Sequence, residues 1–229
     1  MRPTKIFRPR SSATAVKTFG AAAAFGSAVA LLRRWSFRYG ATSDELTTPL
    51  PGDEQVPRPD LASTRAVTIR AGAGQVWPWI VQLGQGRGGF YSYDRLENLV
   101  GADIHTADAI GPQWQRLKVG DQVRLAAEMP LEVTYLDPGR TLVLGGGIPI
   151  GAMSSPFTFS WAFVLRDAPD GGTRLLVRER YGYTRRWAAL IVEPTELLSF
   201  LMSQRMLRGI KQRAERVPDN RFAPTATSR

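Results

Sequence analysis

The chain contains no cysteine and only one histidine, and these two shortages remove several kinds of site. Without cysteine there is no thiolate nucleophile, no cysteine-ligated zinc and no disulfide framework. A multi-histidine metal site is excluded too, because His105 is the single histidine. The missing disulfides are compatible with a reducing compartment. We therefore expect neither a metal nor a metal-dependent chemistry.

Long hydrophobic runs are also scarce, and the best candidate is short. Residues 18–32 are uncharged, but fifteen helical residues reach only ~22 Å, against the ~30 Å hydrocarbon core of a bilayer. Three interpretations stay open: a short or tilted membrane anchor, a loosely structured extension, and a secretory signal cleaved after Ala28-Val29-Ala30. Arg33 and Arg34 disfavour export. A membrane-associated or cytoplasmic protein is expected, with secretion less favoured.

Acidic residues are lacking at both ends of the chain. The net charge is +10, of which residues 1–40 contribute +8 and residues 205–229 contribute +5, leaving −3 for residues 41–204. No nucleic-acid-binding motif accompanies these basic ends. The pattern favours contact of the N-terminal segment with an anionic membrane surface, and no nucleic-acid partner is expected.

The stretch "LGQGRGGFYSYDRL" (83–96) contains Gly84, Gly86 and Gly89 at the G-x-G-x-x-G spacing of dinucleotide sites. In such sites a strand precedes the glycines, whereas here "QVWPWIVQL" has the apolar spacing of a helix that ends at Gly84. The negative end of its dipole would face the loop and repel phosphate. The sequence therefore argues against a nucleotide cofactor, and no cofactor is expected.

The order of elements predicts an α+β protein. A strand at 65–71 precedes the helix, alternating segments follow with a Pro138-Gly139 hairpin turn, and 194–217 has helical periodicity. Four prolines in 47–61 are typical of an extended linker. The predicted organisation is a basic N-terminal segment (1–40), a Pro-rich linker (41–61), one folded domain (62–217) and a flexible tail (218–229).

Three blocks carry a family resemblance: "VWPWIVQLGQGRGGFYSYDRLENLVGADIHTADAI", "LKVGDQVRL" and "RMLRGIKQRAE". Over about 65–216 the chain resembles the START-like superfamily, also called SRPBCC, and its bacterial members in particular. That superfamily includes polyketide cyclases and dehydratases, lipid-transfer domains and pollen-allergen carriers. The resemblance implies a helix-grip fold, in which a curved antiparallel sheet wraps round a long C-terminal helix with an apolar cavity between them. The glycine segment would connect two short helices at the cavity's edge.

Two residues are candidates for proton transfer. Glu179 shares a strand face with Leu175, Val177 and Tyr181, and a carboxylate among apolar neighbours is costly unless it is paired or protonated. The alternatives are a salt bridge to an arginine of a neighbouring strand, or a strand that ends before this position. His105 lies near Asp103 and Asp108 and could act as a general base, or could tie a loop by hydrogen bonds.

These observations predict a protein that binds a hydrophobic or amphipathic small molecule, such as a lipid or polyketide-like compound, as a carrier or sensor. One alternative is a cyclase or dehydratase that uses the same cavity, and another is a protein-interaction module whose cavity is closed. The glycines permit a tight turn that brings Phe90, Tyr91 and Tyr93 together. The predicted ligand contacts are Trp77, Tyr91, Tyr93, Trp161, Glu179 and Phe200.

Overall fold

The structure is a computed structural model that describes residues 26–93, 98, 103–127, 129–147 and 154–216. The chain divides into two compact units, 1–36 and 37–229. Residues 26–37 form helix α1, which lies almost wholly in the first unit. Among the described helices none is long and apolar enough to cross a membrane. Most of the predicted anchor and the whole C-terminal tail lie outside the described residues, so both stay predictions.

Six antiparallel strands form the sheet of the second unit. They are β1 (Leu61–Ile69), β2 (Gln122–Arg124), β3 (Pro130–Asp137), β4 (Thr141–Gly146), β5 (Phe157–Asp167) and β6 (Thr173–Tyr183). Their order across the sheet is β1-β6-β5-β4-β3-β2, so β5 and β6 are central. The predicted hairpin turn between β3 and β4 is present, with Gly139 at φ 81°.

The inner face of the sheet carries the main hydrophobic core. Alternation along β5 places Phe157, Phe159, Trp161, Phe163 and Leu165 on this face, all of them buried. Helix α4 (Ala189–Arg216) packs across the same face and contributes Met206, Leu207 and Ile210 to the core. A curved antiparallel sheet packed on a long C-terminal helix is the helix-grip arrangement, so the predicted α+β fold is confirmed.

Helix α4 begins earlier than its sequence pattern predicts. The pattern predicts a helix over 194–217 with Pro194 near its start. In the structure the helix starts at Ala189, so Pro194 lies within it. A proline deprives a helix of one N–H donor. The hydroxyl of Thr195 donates to the carbonyls of Ile191 (3.2 Å) and Val192 (2.9 Å), next to the disturbed turn. The early start lengthens the helix by about a turn and a half before its first cavity-lining residue, Thr195.

The outer face of the sheet is covered by residues 41–60, which we call the strap. The strap contains helix α2 (Ser43–Thr47) and a 3₁₀ turn at Asp53–Gln55, where the prolines predict an extended linker. Its Leu50 packs in a small second core with Val143, Ala162, Val164, Leu176 and Ala66. The strap is therefore an ordered layer of the fold.

The glycine loop follows helix α3 (Ala73–Val81), as predicted. Gly84, Gly86 and Gly89 all have positive φ, and Gly84 pairs with Gly89 through N–H···O bonds of 3.1 Å in both directions. A side chain at Gly89 would come within 2.9 Å of the His105 carbonyl oxygen. The loop is a tight reversal that needs these glycines. The second short helix implied by the resemblance lies largely outside the described residues.

Candidate ligand cavity

A cavity of about 430 Å³ lies between the first half of α4 and the inner face of the sheet. Strands β5 and β6 form its base, while Phe90 and the β2–β3 turn border it. This volume is in the range of small-molecule sites, which are mostly apolar with a few placed polar groups. Its apolar lining consists of Phe90, Leu125, Ala126, Met129, Phe159, Trp161, Leu198, Met202 and Met206, with Tyr181 beside them.

The polar part of the lining is centred on the carboxylate of Glu179. Ser203 donates to its Oε1 at 3.1 Å and Ser199 donates to its Oε2 at 3.2 Å. All three residues line the cavity. Each carboxylate oxygen has two acceptor sites. Oε2, which receives only the Ser199 hydroxyl among the bonds between described residues, keeps acceptor capacity toward the cavity.

Behind this carboxylate lies Arg65, whose side chain is fully buried. Its Nη1 donates to Glu179 Oε1 at 3.2 Å and to Ser203 Oγ at 3.3 Å, and its Nη2 donates to Glu196. The pairing register of β1 and β6 brings Arg65 close to Glu179, because Arg65 lies opposite Val177 and Ser63 lies opposite Glu179. Arg65 and Glu179 are therefore diagonal neighbours on the inner face. Arg65 does not itself reach the cavity lining, so the charge nearest a ligand is negative.

Two further polar groups at the cavity have no partner among the described residues. The indole Nε1 of Trp161 and the hydroxyl of Ser92 are buried without a hydrogen-bond acceptor or donor there. A buried unsatisfied N–H costs about 1–3 kcal/mol. Trp161 therefore gives the cavity its ring surface and not an accessible donor.

Tyr181 is the remaining titratable group in the lining. Burial raises the pKa of its phenol well above the ordinary value, and the neighbouring Glu179 and Glu196 carboxylates raise this pKa further. The phenol therefore stays protonated at any physiological pH. It adds ring surface and a neutral hydroxyl to the cavity rather than a base.

The structure brings only two of the predicted ligand contacts, Trp161 and Glu179, into the cavity lining. Phe200 is buried elsewhere, where its ring meets Tyr39 edge to face at 5.8 Å. Trp77 is half-buried against the core and is absent from the lining. The sequence pattern could not separate these positions, because lining a cavity and filling a core require the same residue types.

The two tyrosines of the glycine loop also lie outside the cavity lining. Tyr91 is buried, its hydroxyl donates to the Trp79 carbonyl at 3.0 Å, and Arg213 lies 4.8 Å from its ring centre. Tyr93 is 47% exposed and lies beside Arg205. Tyr91 thus ties the loop to α3 and α4, and of the aromatic trio only Phe90 reaches the cavity.

His105 is separated from the cavity as well. Its side chain is 83% exposed and lies 3.2 Å from a carboxylate oxygen of Asp103. Asp108, the other acid near it in sequence, instead accepts from Arg213 at 2.8 Å. A general base must reach the reacting proton, and of the two predicted proton-transfer candidates only Glu179 lies where a cavity ligand could meet it.

Sequence reasoning missed the polar stripe of α4 that completes the site. Glu196, Ser199 and Ser203 recur at i, i+3 and i+7, which is the spacing of one helix face. The sequence did contain a signal for this stripe, because these polar residues have the helical spacing that core residues normally have. In the described part of the chain, no cluster of three metal-ligating side chains is present.

No family model and no curated protein sequence matches the chain. Solved structures do resemble it. The protein MLL2253 from Mesorhizobium loti is 14% identical over 69% of this chain and 100% of its own, with a TM-score of 0.42. DynU16, of the dynemicin biosynthetic locus, is 15% identical over 66% of this chain and 47% of its own, at 0.37. CalU16 from Micromonospora echinospora is 16% identical over 68% and 84%, at 0.34. At these values the likenesses carry no inference about activity or ligand.

Proposed function

We propose that the protein binds an amphipathic small molecule in the cavity under α4, as a carrier or sensor, with the apolar body of the ligand against β5 and its polar head at Glu179. The observation that carries the proposal is a mostly apolar cavity of about 430 Å³ with one fixed carboxylate at its polar end. Removing apolar ligand surface from water contributes ~25 cal/mol per Å². Lipid-like and polyketide-like compounds both offer such surface.

The geometry favours a ligand whose head is neutral or cationic. The carboxylate of Glu179 faces the cavity, while the guanidinium of Arg65 lies behind it and is engaged by Glu179, Ser203 and Glu196. Two like charges 4 Å apart repel by about 4 kcal/mol at an effective dielectric constant of 20. A hydroxyl or amine could donate to Glu179, whereas a fatty-acid carboxylate would meet that repulsion.

An enzymatic use of the same cavity would depend on Glu179, because it is the one predicted proton-transfer residue in the lining. In a cyclase or dehydratase the carboxylate would accept a proton from a carbon next to a ligand carbonyl. The other alternative, a protein-interaction module with a closed cavity, has no comparable observation in its favour, because the cavity is open.

Filling the cavity tests the proposal. Ala126 is half-buried in the lining, whereas its neighbour Ala127 is exposed and outside it. We expect the full chain to take up a neutral fluorescent probe, N-phenyl-1-naphthylamine, and Ala126→Trp to weaken uptake at least about tenfold, while the matched Ala127→Trp leaves uptake unchanged. Equal uptake by both variants would place the probe elsewhere and contradict the proposed site. No uptake by any form, with no co-purifying molecule, would contradict ligand binding altogether.

A further inference from the structure

The first half of α4 presents an exposed apolar stripe that nothing in the cavity requires. Leu190, Leu197 and Leu201 follow each other at i, i+7 and i+11 and therefore share one helix face. Their exposed fractions are 77%, 56% and 43%. Ile191 and Trp187 continue the exposed apolar surface at 40% and 39%. Single exposed leucines are ordinary, but a contiguous group marks an interaction surface.

Basic residues border this stripe. Arg185, Arg186 and Arg205 are exposed at its two ends. Between residues 185 and 205 the only exposed acid is Glu193, since Glu196 is buried. A helix face of leucines with a tryptophan and a net positive rim has the composition of segments that lie in a bilayer interface and attract anionic lipids.

The stripe continues into the mouth of the cavity. Leu198 is 37% exposed and also lines the cavity, one residue from Leu197 of the stripe. Met129, from the β2–β3 turn, lines the cavity and is 39% exposed. Exposed apolar side chains from two different elements thus border the same opening. A surface whose apolar part leads into an apolar cavity fits a lipid bilayer better than a folded protein partner.

We propose that the face formed by Trp187, Leu190, Leu197 and Leu201, with Arg185 and Arg186, docks on an anionic lipid surface and places the cavity mouth against it. This surface is distinct from the N-terminal basic segment and does not depend on it. Where the proposed ligand binding also holds, an apolar ligand passes between bilayer and cavity without crossing water. The docking itself is tested independently of any ligand.

The absence of cysteine makes a site-specific experiment clean, because a single introduced cysteine is the only thiol in the full chain. Leu201→Cys, labelled with bimane, reports on the stripe. Asp170→Cys is the matched exposed control, in the β5–β6 turn at the end of the sheet where Ile69 pairs with Thr173. Each labelled protein is mixed with vesicles of phosphatidylcholine alone and of phosphatidylcholine with 30% phosphatidylglycerol, and co-sedimentation is measured in parallel.

We expect a blue shift of bimane at position 201 and none at position 170, with the anionic vesicles only. When Arg185→Ser and Arg186→Ser are added, the affinity for the anionic vesicles should fall about thirtyfold, because each basic residue near an anionic surface contributes about a factor of five. The affinity is read from the lipid concentration that gives half of the maximal blue shift. Co-sedimentation without a shift at 201 would overturn the proposal, because another surface would then hold the vesicle. A blue shift that appears without vesicles as the protein concentration rises would instead assign this face to self-association and overturn the proposal. An equal shift with neutral vesicles would overturn the anionic preference.

Discussion

Strand β6 carries charged residues on both of its faces, and these residues have different roles on the two faces. On the inner face Glu179 meets the buried Arg65 and turns a carboxylate toward the cavity. On the outer face Arg174, Arg178 and Arg180 hold the strap. The chemistry is similar, but the outer arginines are engaged by carbonyls and carboxylates of the chain. The inner group leaves an acceptor facing the cavity.

The outer-face arginines of β6 have a purely structural role. Arg178 donates to the carbonyls of Thr48 (3.0 Å) and Glu45 (2.6 Å) and to the carboxylate of Asp53 (2.7 Å). These carbonyls belong to the C-terminal end of α2, where backbone acceptors lack helical partners. Burial lowers the pKa of Arg178, and the Asp53 carboxylate counteracts this. The guanidinium nevertheless stays charged, as arginine does in proteins. A buried ion pair thus becomes a candidate site only where it borders open space.

The largest effect is expected from Arg65→Leu. The change leaves Glu179 and Glu196 buried without the guanidinium that both contact, and removing one partner of a buried ion pair costs about 3–5 kcal/mol. Urea unfolding of the variant measures the loss. Arg70→Leu is the control, because Arg70 is 81% exposed and its pair with Glu215 spans 3.8 Å. If the free energy of unfolding fell by less than about 1 kcal/mol in Arg65→Leu, the inner-face ion pair would not have the stabilising role assigned to it.

Arg178→Leu is expected to cost somewhat less, about 2–3 kcal/mol, because Asp53 and the freed carbonyls can reach water when the strap loosens. Hydrogen exchange should locate the change, with faster exchange of amides in the strap and unchanged protection in β5. Arg140→Leu, at an exposed hairpin position, is the control. Uniformly faster exchange across the sheet would show that the strap and the sheet unfold together and are not separable layers.

Glu179→Gln tests the functional half of the comparison with a smaller effect on stability. The amide keeps the shape of the side chain and removes its charge. We expect affinity for an apolar amine to fall about tenfold or more, since a hydrogen bond to a charged group contributes about 1.5–3 kcal/mol. Affinity for a fatty acid of the same chain length should rise. Fluorescence displacement measures both, and a parallel change for both ligands would mean that Glu179 only shapes the cavity.

The smallest effect is a pH dependence on the outer face. Hydrogen bonding to Arg174, at 2.7 and 2.8 Å, lowers the pKa of Glu45 below its ordinary value of 4.5, against an opposing effect of burial. A carboxyl whose folded-state pKa is lowered contributes stability that is present above the unfolded-state pKa and lost as the pH falls through the folded-state pKa. Below about pH 4.5 the wild type should therefore lose more stability than Arg174→Leu. Parallel acid-unfolding curves would contradict this.

Much of the fold follows from patterns that are local. The alternation in β5 and β6 depends on the side-chain period of a strand and predicted the inner face correctly. The strap was missed because prolines restrict the backbone without showing whether a segment packs, and its packing depends on arginines 120 or more residues away. The arginine partner of Glu179 was one of the alternatives that its strand position allowed.

The resemblance implied a cavity, but the residues that line it could not be predicted from the sequence. Trp161 and Phe163 share a strand face, yet Trp161 lines the cavity and Phe163 is fully buried in the core. Which of them borders open space depends on how far α4 stands from the sheet at each point. That distance is set where α4 comes close to the loop, since a side chain at Gly209 would come within 2.6 Å of the Tyr91 carbonyl oxygen. Such contacts join residues more than a hundred positions apart.

We propose above all that the cavity holds an amphipathic molecule with a neutral or cationic head. Its most direct test is native mass spectrometry of the full chain as purified, repeated after extraction with organic solvent. We expect a bound small molecule at near-stoichiometric level, which is lost on extraction and carries a hydroxyl or amine rather than a carboxylate. A reproducibly empty protein that takes up no apolar probe, or one that holds a fatty acid, would contradict it.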